Sequence, residues 1–216
     1  MKVSTDGCLF GALTQVEECR RVLDIGAGTG LLTLMAAQRS EADIDAVELD
    51  QQAARQAGEN FRASPWSNRL TIHCASIQDY ARQSISTYDL IICNPPFFTR
   101  HLASTNSQRH HARHNDSLSF EELLACVCKL LSREGSFEVL LPTSESERFL
   151  GLAHGCGLYC NRSIGVQATE NKPVSRNILK LSFIDNPEPE HQLVIQDGVG
   201  YSAEFQEILK PYYLFL

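Results

Sequence analysis

Short apolar runs alternate with amphipathic segments along most of this chain. The apolar runs predict strands over residues 21–26, 44–50, 69–75, 88–93, 136–142, 159–166 and 178–184. Helical periodicity covers residues 7–16, 31–39, 51–63, 119–131, a stretch that begins near 144, and 204–216. Strands that alternate with helices form parallel sheets, and no repeat or linker interrupts them here. The pattern therefore predicts one α/β domain over residues 1–216, with a doubly wound, mostly parallel sheet of seven strands.

Two of the predicted helices carry local signals at their ends. Ser119 and Glu122 have the spacing of a capping box, in which each residue bonds the backbone of the other, and Gly135 is expected to end the helix that follows. Ser144 and Glu147 repeat the same spacing before the next helix. These signals predict where the two helices begin.

Composition narrows the class of protein. The 216 residues are 43% hydrophobic and have a formal net charge of -7, which suits a globular protein without a coat of basic residues. No apolar run approaches the roughly 20 residues of a membrane-spanning helix, so we expect a cytoplasmic protein that does not bind membranes. Eight cysteines are scattered without a C-x-x-C pair, which favours buried, reduced thiols over disulfides.

The stretch LDIGAGTG joins the first predicted strand to the next helix. Asp24 stands at the end of the strand, and Gly26 and Gly28 allow a tight turn against a ligand. The G-x-G-x-G spacing differs from the dinucleotide pattern, and an acid before the turn suits a ligand with a positive amino group, such as S-adenosylmethionine. Glu48 ends the second strand, where its carboxylate can bind both hydroxyls of a ribose. The alternative is a plain tight turn without a ligand.

The stretch IICNPPFF ends the fourth predicted strand beside the strand that carries the glycine turn. The Asn94 side chain and the Pro95 carbonyl can accept hydrogen bonds from a planar exocyclic amine, which localises the lone pair of that amine toward a methyl donor. Prolines fix the backbone, and Phe97 offers a flat face on which a flipped-out base can stack. These residues predict methylation of a planar amine. The alternative is a rigid turn with apolar side chains.

The motifs D-x-G-x-G-x-G and N-P-P-[YF], with an acidic residue after the second strand, resemble those of class I S-adenosylmethionine-dependent methyltransferases. More closely, the runs MKVSTDGCLFGALTQV, SPWSNRLTIH, DLIICNPPFF and YYLFL make the chain similar to bacterial tRNA(Val) adenine-N(6) methyltransferases over nearly its whole length. The resemblance implies a Rossmann-like fold and transfer of a methyl group to the adenosine immediately 3′ of the anticodon.

The resemblance also implies roles for single residues. In the cofactor site, Asp24, Gly26 and Gly28 correspond to residues that hold the methionine part, and Glu48 to the one that holds the ribose. The T-D-G block predicts further contacts of the cofactor, and Asn94 is expected to lie beside its methyl group. The residues of the T-D-G block that are expected near the amino-acid end of the cofactor are Thr5 and Asp6.

Three features depart from the family pattern. Ser76 stands where many amino-methyltransferases have an Asp that meets the adenine of the cofactor, so it is expected to replace that contact only partly. Phe97 stands where Tyr is common, which keeps stacking but loses a hydroxyl. The chain also begins close to the T-D-G block, whereas family members have further residues upstream.

A basic stretch from Arg100 to His114 follows the catalytic motif without a carboxylate, on an otherwise acidic protein. Its arginines are expected to meet phosphates of the anticodon stem-loop, and basic residues of a later polar loop are secondary candidates. The histidines of the stretch lack an accompanying cysteine, so no metal site is predicted. We expect a monomer. The candidate RNA-binding residues are Arg100, Arg109, Arg113, Lys172 and Arg176.

Other functions are compatible with parts of the pattern. Ribosomal guanine methyltransferases and protein glutamine methyltransferases use the same N-P-P-aromatic motif on other planar amines. A non-catalytic methyltransferase-like RNA-binding module is a different class, against which the intact Asp24, Glu48 and Asn94 argue. A nicotinamide-dependent oxidoreductase is disfavoured by the glycine spacing.

Overall fold

The computed structural model describes residues 4–95, 118–198 and 200–213. Eight strands form one sheet: β1 (Arg21–Ile25), β2 (Asp43–Glu48), β3 (Leu70–Cys74), β4 (Tyr88–Cys93), β5 (Leu131–Pro142), β6 (Tyr159–Thr169), β7 (Arg176–Ser182) and β8 (His191–Gln196). The helices in this part of the chain are α1 (Thr5–Leu13), α2 (Leu31–Arg39), α3 (Gln51–Ala63), α4 (Ile77–Gln83), α5 (Phe120–Leu130), α6 (Thr143–Gly155) and α7 (Ala203–Leu209).

The strand order is β3-β2-β1-β4-β5-β7-β6-β8. Strands β1 to β5 are parallel, β7 is antiparallel to both β5 and β6, and β8 is parallel to β6. The chain reverses its direction of travel across the sheet between β1 and β4, which is where ligands bind in doubly wound folds. The predicted fold class is confirmed, and β8 adds one strand to the seven that the pattern predicted.

Each face of the sheet buries its own apolar layer. On one face α1, α2, α3 and α7 cover the sheet with fully or nearly fully buried side chains such as Phe10, Phe61 and Phe205. On the other face α4, α5 and α6 do the same, and the rings of Phe120 and Phe149 meet edge to face with centroids 5.0 Å apart. Apolar side chains therefore point to both faces of the central strands, as expected for a sheet covered by helices on both sides.

The predicted capping box of α5 is confirmed and the helix ends within one residue of the predicted 131, but the helix-ending role predicted for Gly135 is wrong. Ser119 Oγ accepts a hydrogen bond from Glu122 N at 3.2 Å, and Ser119 N donates to the Glu122 carboxylate at 2.9 Å. The helix ends at Leu130, because Leu131 already pairs with Tyr88 in the sheet. Gly135 lies inside β5, at an irregular step where a Cβ would come within 2.9 Å of two backbone oxygens of β4.

Two other helix starts differ from the prediction. Helix α6 begins at Thr143 after Pro142, without a side-chain cap, so the capping box predicted from Ser144 and Glu147 does not form. Helix α1 begins at Thr5, two residues before the predicted run, because Ser4 Oγ caps it by accepting a hydrogen bond from Gly7 N at 3.1 Å. The Ser4 cap therefore sets the start of α1. Helix α6 instead starts where β5 ends, directly after Pro142 has paired with Arg176 of β7.

The remaining global predictions concern cysteines and membranes. All eight cysteines are free thiols, but only Cys8, Cys93 and Cys126 are buried. Burial raises the pKa of Cys93 and Cys126, so both thiols stay protonated at neutral pH. Among the helices described, none has the length and apolar character needed to cross a bilayer.

Candidate active site

The carboxyl ends of β1, β2 and β4 bring the predicted chemistry together at one edge of the sheet. Ile25 pairs with Val47 on one side and with Cys93 on the other. The residues that follow these three strands therefore lie side by side, which juxtaposes the glycine turn, Glu48 and Asn94. The glycine turn, Glu48 and Asn94 are remote in sequence but thus lie at one edge of the sheet, where ligands bind in this class of fold.

Asp24 supplies a buried negative charge directly below the glycine turn. Its Oδ2 accepts hydrogen bonds from the Thr33 backbone N–H at 3.1 Å and from the Thr33 hydroxyl at 2.7 Å. Its Oδ1 is buried and has no hydrogen-bond partner among the described residues. Burial raises the pKa of Asp24 to about 6, an effect that the Thr33 bonds oppose and the charge of Glu48 increases. A buried carboxylate with one unsatisfied oxygen suits a cationic ligand group.

Glu48 organises the glycine turn from the neighbouring strand. Gly28 N donates a hydrogen bond to Glu48 Oε2 at 2.8 Å, and Asp50 N donates to Oε1 at 2.8 Å. Each carboxylate oxygen has a second lone pair, so both can still accept a hydrogen bond from a ligand hydroxyl. The two hydrogen bonds fix the side chain in place, and the contact with a ribose stays a prediction.

The glycines of the turn serve two different purposes. Gly26, Gly28 and Gly30 all have positive φ, at 73°, 57° and 86°. A Cβ on Gly30 would lie 2.4 Å from Cε1 of the buried Phe61 ring, whereas a Cβ on Gly26 would meet nothing within 4 Å. Gly30 is therefore required by packing below the turn, and Gly26 borders open space where a ligand can approach the backbone.

Asn94 and Pro95 follow β4 directly. Asn94 is partly exposed and Pro95 is buried, so the amide is held on a rigid base with access to the site. Helix α1 forms the opposite wall, because a Cβ on Gly7 would lie 3.8 Å from Asn94 Nδ2. Phe97, the predicted stacking residue, lies outside the described residues.

Thr5 and Asp6 lie in the first turn of α1. The Thr5 side chain hydrogen-bonds to Tyr213 near the end of the chain. The Asp6 carboxylate forms an ion pair with Arg176 at the start of β7, with Oδ2 and Nε 3.4 Å apart. Asp6 and Arg176 therefore pair with each other in the structure. The sequence predicted a cofactor contact for Asp6 and an RNA contact for Arg176.

Ser76 caps a helix, which limits its predicted role at the cofactor adenine. Its hydroxyl accepts a hydrogen bond from Asp79 N at 3.0 Å and donates one to Asp79 Oδ2 at 2.8 Å. Sequence reasoning missed Leu49, which follows Glu48 and is 59% exposed. A large apolar residue in the polar turn after an acidic strand end was the available signal, and it offers an apolar surface beside the Glu48 carboxylate.

Comparisons with known proteins agree on the family. The family described as Methyltransferase small domain matches residues 7–118. The tRNA1(Val) (adenine(37)-N6)-methyltransferase of Bacteroides fragilis is 43% identical over 216 residues, covering 99% of this chain and 91% of its own length. The protein of the same name from Aliivibrio fischeri is 44% identical over 215 residues, with the same coverage. This chain belongs to that methyltransferase family.

Solved structures of methyltransferases support the fold. A predicted O-methyltransferase of Agrobacterium tumefaciens superposes with a TM-score of 0.71 at 13% identity, over 97% of this chain and 98% of the other. The methyltransferase CcbJ of Streptomyces caelestis superposes with a TM-score of 0.59 at 13% identity, over 84% and 96% of the two chains. At such low identities the likeness shows the fold alone. The chemistry of this methyltransferase has to be argued from its own residues.

The predicted RNA contacts of this methyltransferase are only partly within the described residues. Lys172 is exposed in the loop between β6 and β7, and its carbonyl accepts a hydrogen bond from Gln167 Nε2 at 2.8 Å. The basic stretch from Arg100 to His114, with Arg109 and Arg113, lies outside them. In the part of the chain that is described, no group of three or more His, Cys, Asp or Glu side chains can hold a metal ion.

Proposed function

We propose that this protein transfers a methyl group from S-adenosylmethionine to the N6 amine of adenine 37 in tRNA1(Val). The observation that carries the proposal is the meeting of Asp24, Glu48 and Asn94 at adjacent strand ends. Relatives that share 43% of the sequence over nearly its full length are named for this reaction. The site offers binding groups for the methyl donor on one side and acceptors for an amine on the other.

The residues of the turn fit S-adenosylmethionine. The unsatisfied Oδ1 of Asp24 matches the need of a positive amino group for a buried acceptor. Open space above Gly26 admits a ligand close to the backbone, and Glu48 has free lone pairs for two ribose hydroxyls. When bound, the cofactor supplies a methyl group on a positively charged sulfur. Leu49 adds an apolar surface for the adenine, since Ser76 is committed to capping α4.

Asn94 and Pro95 act on the amine of the target base. An exocyclic amine is a poor nucleophile because its lone pair is delocalised into the ring. The Asn94 side-chain oxygen and the Pro95 carbonyl accept hydrogen bonds from its two N–H groups, which localises the lone pair on nitrogen. Once its nitrogen carries the methyl group, the amine is positively charged and therefore acidic, so its proton leaves to water without a strong base. Phe97 is assigned to stack on the flipped base.

Basic residues support the RNA-binding part of the proposed function. Lys172 is exposed in the loop after β6, at the edge of the sheet that carries Asn94. Phosphate contacts of this kind position an RNA without reading its sequence. We assign Arg100, Arg109 and Arg113 to the same task on the anticodon stem-loop, and we expect a monomeric, cytoplasmic enzyme that needs no metal.

The test compares wild type with Asn94→Ala on unmodified total tRNA and labelled S-adenosylmethionine, followed by digestion and identification of the labelled nucleoside. We expect N6-methyladenosine from wild type and a loss of about 10²–10³-fold in rate for the variant, which lacks one preorganised acceptor. Asn186→Ala is the matched control, because Asn186 is exposed beyond β7 at the opposite edge of the sheet. Label in methylguanosine, in methylated glutamine of added protein, or in nothing would contradict the proposal.

A further inference from the structure

The first turn of α1 is one wall of the candidate active site. A Cβ on Gly7 would lie 3.8 Å from Asn94 Nδ2 and 3.6 Å from Leu31 Cδ2 at the start of α2. It would also lie 3.1 Å from Ser4 Oγ, the cap of α1. The turn therefore lies in van der Waals reach of the Asn94 amide and is tight only against the Ser4 cap, so a displacement of the turn changes the space around that amide.

Arginines of other elements hold both ends of helix α1: Arg39 and Arg162 at the carboxyl end and Arg176 at the amino end. At its carboxyl end, the Arg39 guanidinium donates hydrogen bonds to the carbonyls of Gly11, Ala12 and Thr14. At its amino end, where the active site lies, the first turn is held by the ion pair between Asp6 and Arg176 and by the hydrogen bond between Thr5 and Tyr213. The Asp6–Arg176 pair lies in the same turn as Gly7, the residue next to Asn94.

Arg176 is itself fixed to the sheet. Its backbone pairs with Pro142 of β5 and with Val166 of β6, and its Nη1 donates a hydrogen bond to the Ser175 carbonyl at 2.9 Å. The side chains of Arg176 and Asp6 are 28% and 32% exposed, so water screens their attraction less than that of a surface pair. The guanidinium thus joins α1 to three strands of the sheet.

We propose that Arg176 is a positioning residue that acts through Asp6. It holds the first turn of α1 against the Asn94 amide, and so keeps the amine acceptor aligned for the methyl transfer proposed above, on which this inference rests. Arg176 is consequently not a phosphate contact, in contrast to the role that its charge predicted. Lys172, exposed in the same loop region, keeps that role.

The first experiment is a double-mutant cycle with Arg176→Ala, Asp6→Asn and the double variant, with kcat measured at saturating tRNA. Misplacement of a catalytic group by a fraction of an ångström lowers rates by about ten- to hundredfold, so each single variant is expected to fall in this range. The double variant is expected to be no slower than the singles, because one interaction is removed in all three. Arg176→Lys is expected to restore part of kcat.

Binding of tRNA separates positioning from phosphate contact. For Arg176→Ala we expect tRNA affinity within about threefold of wild type and an unchanged dependence on salt, whereas Lys172→Ala is expected to lower the salt slope by about 1. A weaker tRNA complex with a lower salt slope for Arg176→Ala, or a double variant in which the two losses in kcat multiply, would overturn the inference.

Hydrogen exchange tests the inference without any activity. The amide of Gly7, which donates to Ser4 Oγ, is expected to exchange faster in Arg176→Ala and at the wild-type rate in Arg176→Lys. If exchange rises as expected but no tRNA is methylated by wild type, the proposed function fails and the attachment of α1 stands. If exchange does not change, the positioning role fails whatever the activity.

Discussion

Asp24→Asn is expected to stabilise the cofactor-free protein and to remove cofactor binding. An Asn side-chain oxygen can accept the same two hydrogen bonds from Thr33 that Oδ2 of Asp24 accepts at 3.1 and 2.7 Å. The substitution removes a buried negative charge and places an amide where Oδ1 has no partner among the described residues. The negative charge that pairs with a positive ligand group is thereby lost. Folding no longer has to remove water from a charged carboxylate.

The magnitude follows from the pKa of Asp24. Burial raises this pKa from an ordinary 3.8 to about 6, so the folded state prefers the protonated acid. The stability that protonation contributes is fully present below about pH 4 and is lost as the pH rises through 6. A shift of about two pKa units corresponds to about 3 kcal/mol of unfolding free energy lost by wild type at pH 7.5. This is the upper limit of what Asp24→Asn is expected to recover, because its NH2 group is then buried where Oδ1 has no partner among the described residues. For a domain of this size that limit is a rise in Tm of about 6–12 °C.

Urea unfolding of the cofactor-free proteins at three pH values measures this effect. The gap between Asp24→Asn and wild type is expected to be no more than about 3 kcal/mol at pH 7.5, and to shrink by about 1 kcal/mol at pH 5 and by about 2 kcal/mol at pH 4. Asp43→Asn, which changes an exposed carboxylate of β2, is the matched control and is expected to shift stability by less than about 0.5 kcal/mol. A variant less stable than wild type at pH 7.5, or a gap that does not change with pH, would refute the reasoning.

Calorimetry completes the test on the ligand side. Wild type has to bind S-adenosylmethionine with an ionised Asp24, so its affinity is expected to fall about tenfold between pH 7.5 and pH 5. Asp24→Asn is expected to bind weakly at both values. Equal affinity of wild type at the two pH values would show that the carboxylate does not meet the cationic group.

Two substitutions test the local structure around the site and α5. Gly30→Ala is expected to lower the unfolding free energy by about 2–4 kcal/mol, because its Cβ would overlap Phe61 at a positive φ, whereas Gly26→Ala adds only backbone strain of about 1 kcal/mol; urea unfolding compares the two. Ser119→Ala is expected to cost about 1 kcal/mol by loss of the capping box, and Ser144→Ala less than about 0.5 kcal/mol, because Ser144 caps nothing; equal losses would contradict the assigned helix starts.

The central strands could be predicted from the sequence because their apolar runs are buried on both faces. Strand β4 has the predicted bounds, Tyr88–Cys93. Strand β8 was missed because it lies at the edge of the sheet, where only Leu193 of its six residues is buried and the pattern resembles a polar loop. Gly135 was misread because a glycine that ends a helix and one that admits a neighbouring backbone look alike in sequence.

The sequence could locate single candidate residues at strand ends. It could not predict contacts between residues that are distant in the chain. Asp24, Glu48 and Asn94 stand at strand ends, which the apolar pattern locates along the chain. The partners that define their state are tertiary contacts, such as the bond from Gly28 N to Glu48. The pairing of Asp6 with Arg176 joins residues 170 positions apart, and no local pattern reports it.

The position of β7 in the sheet determines which strand edges are unpaired while the chain is being synthesised. Strand β7 lies between β5 and β6 although it follows both in the chain, and the other neighbour of β6, β8, follows later still. Until the ribosome has released Ser182, β6 has no strand to pair with, and β5 presents the backbone from Ser136 to Pro142 as an open edge. An open edge of this kind recruits strands from other chains. The nascent protein is therefore exposed to aggregation at this edge until β7 has been synthesised.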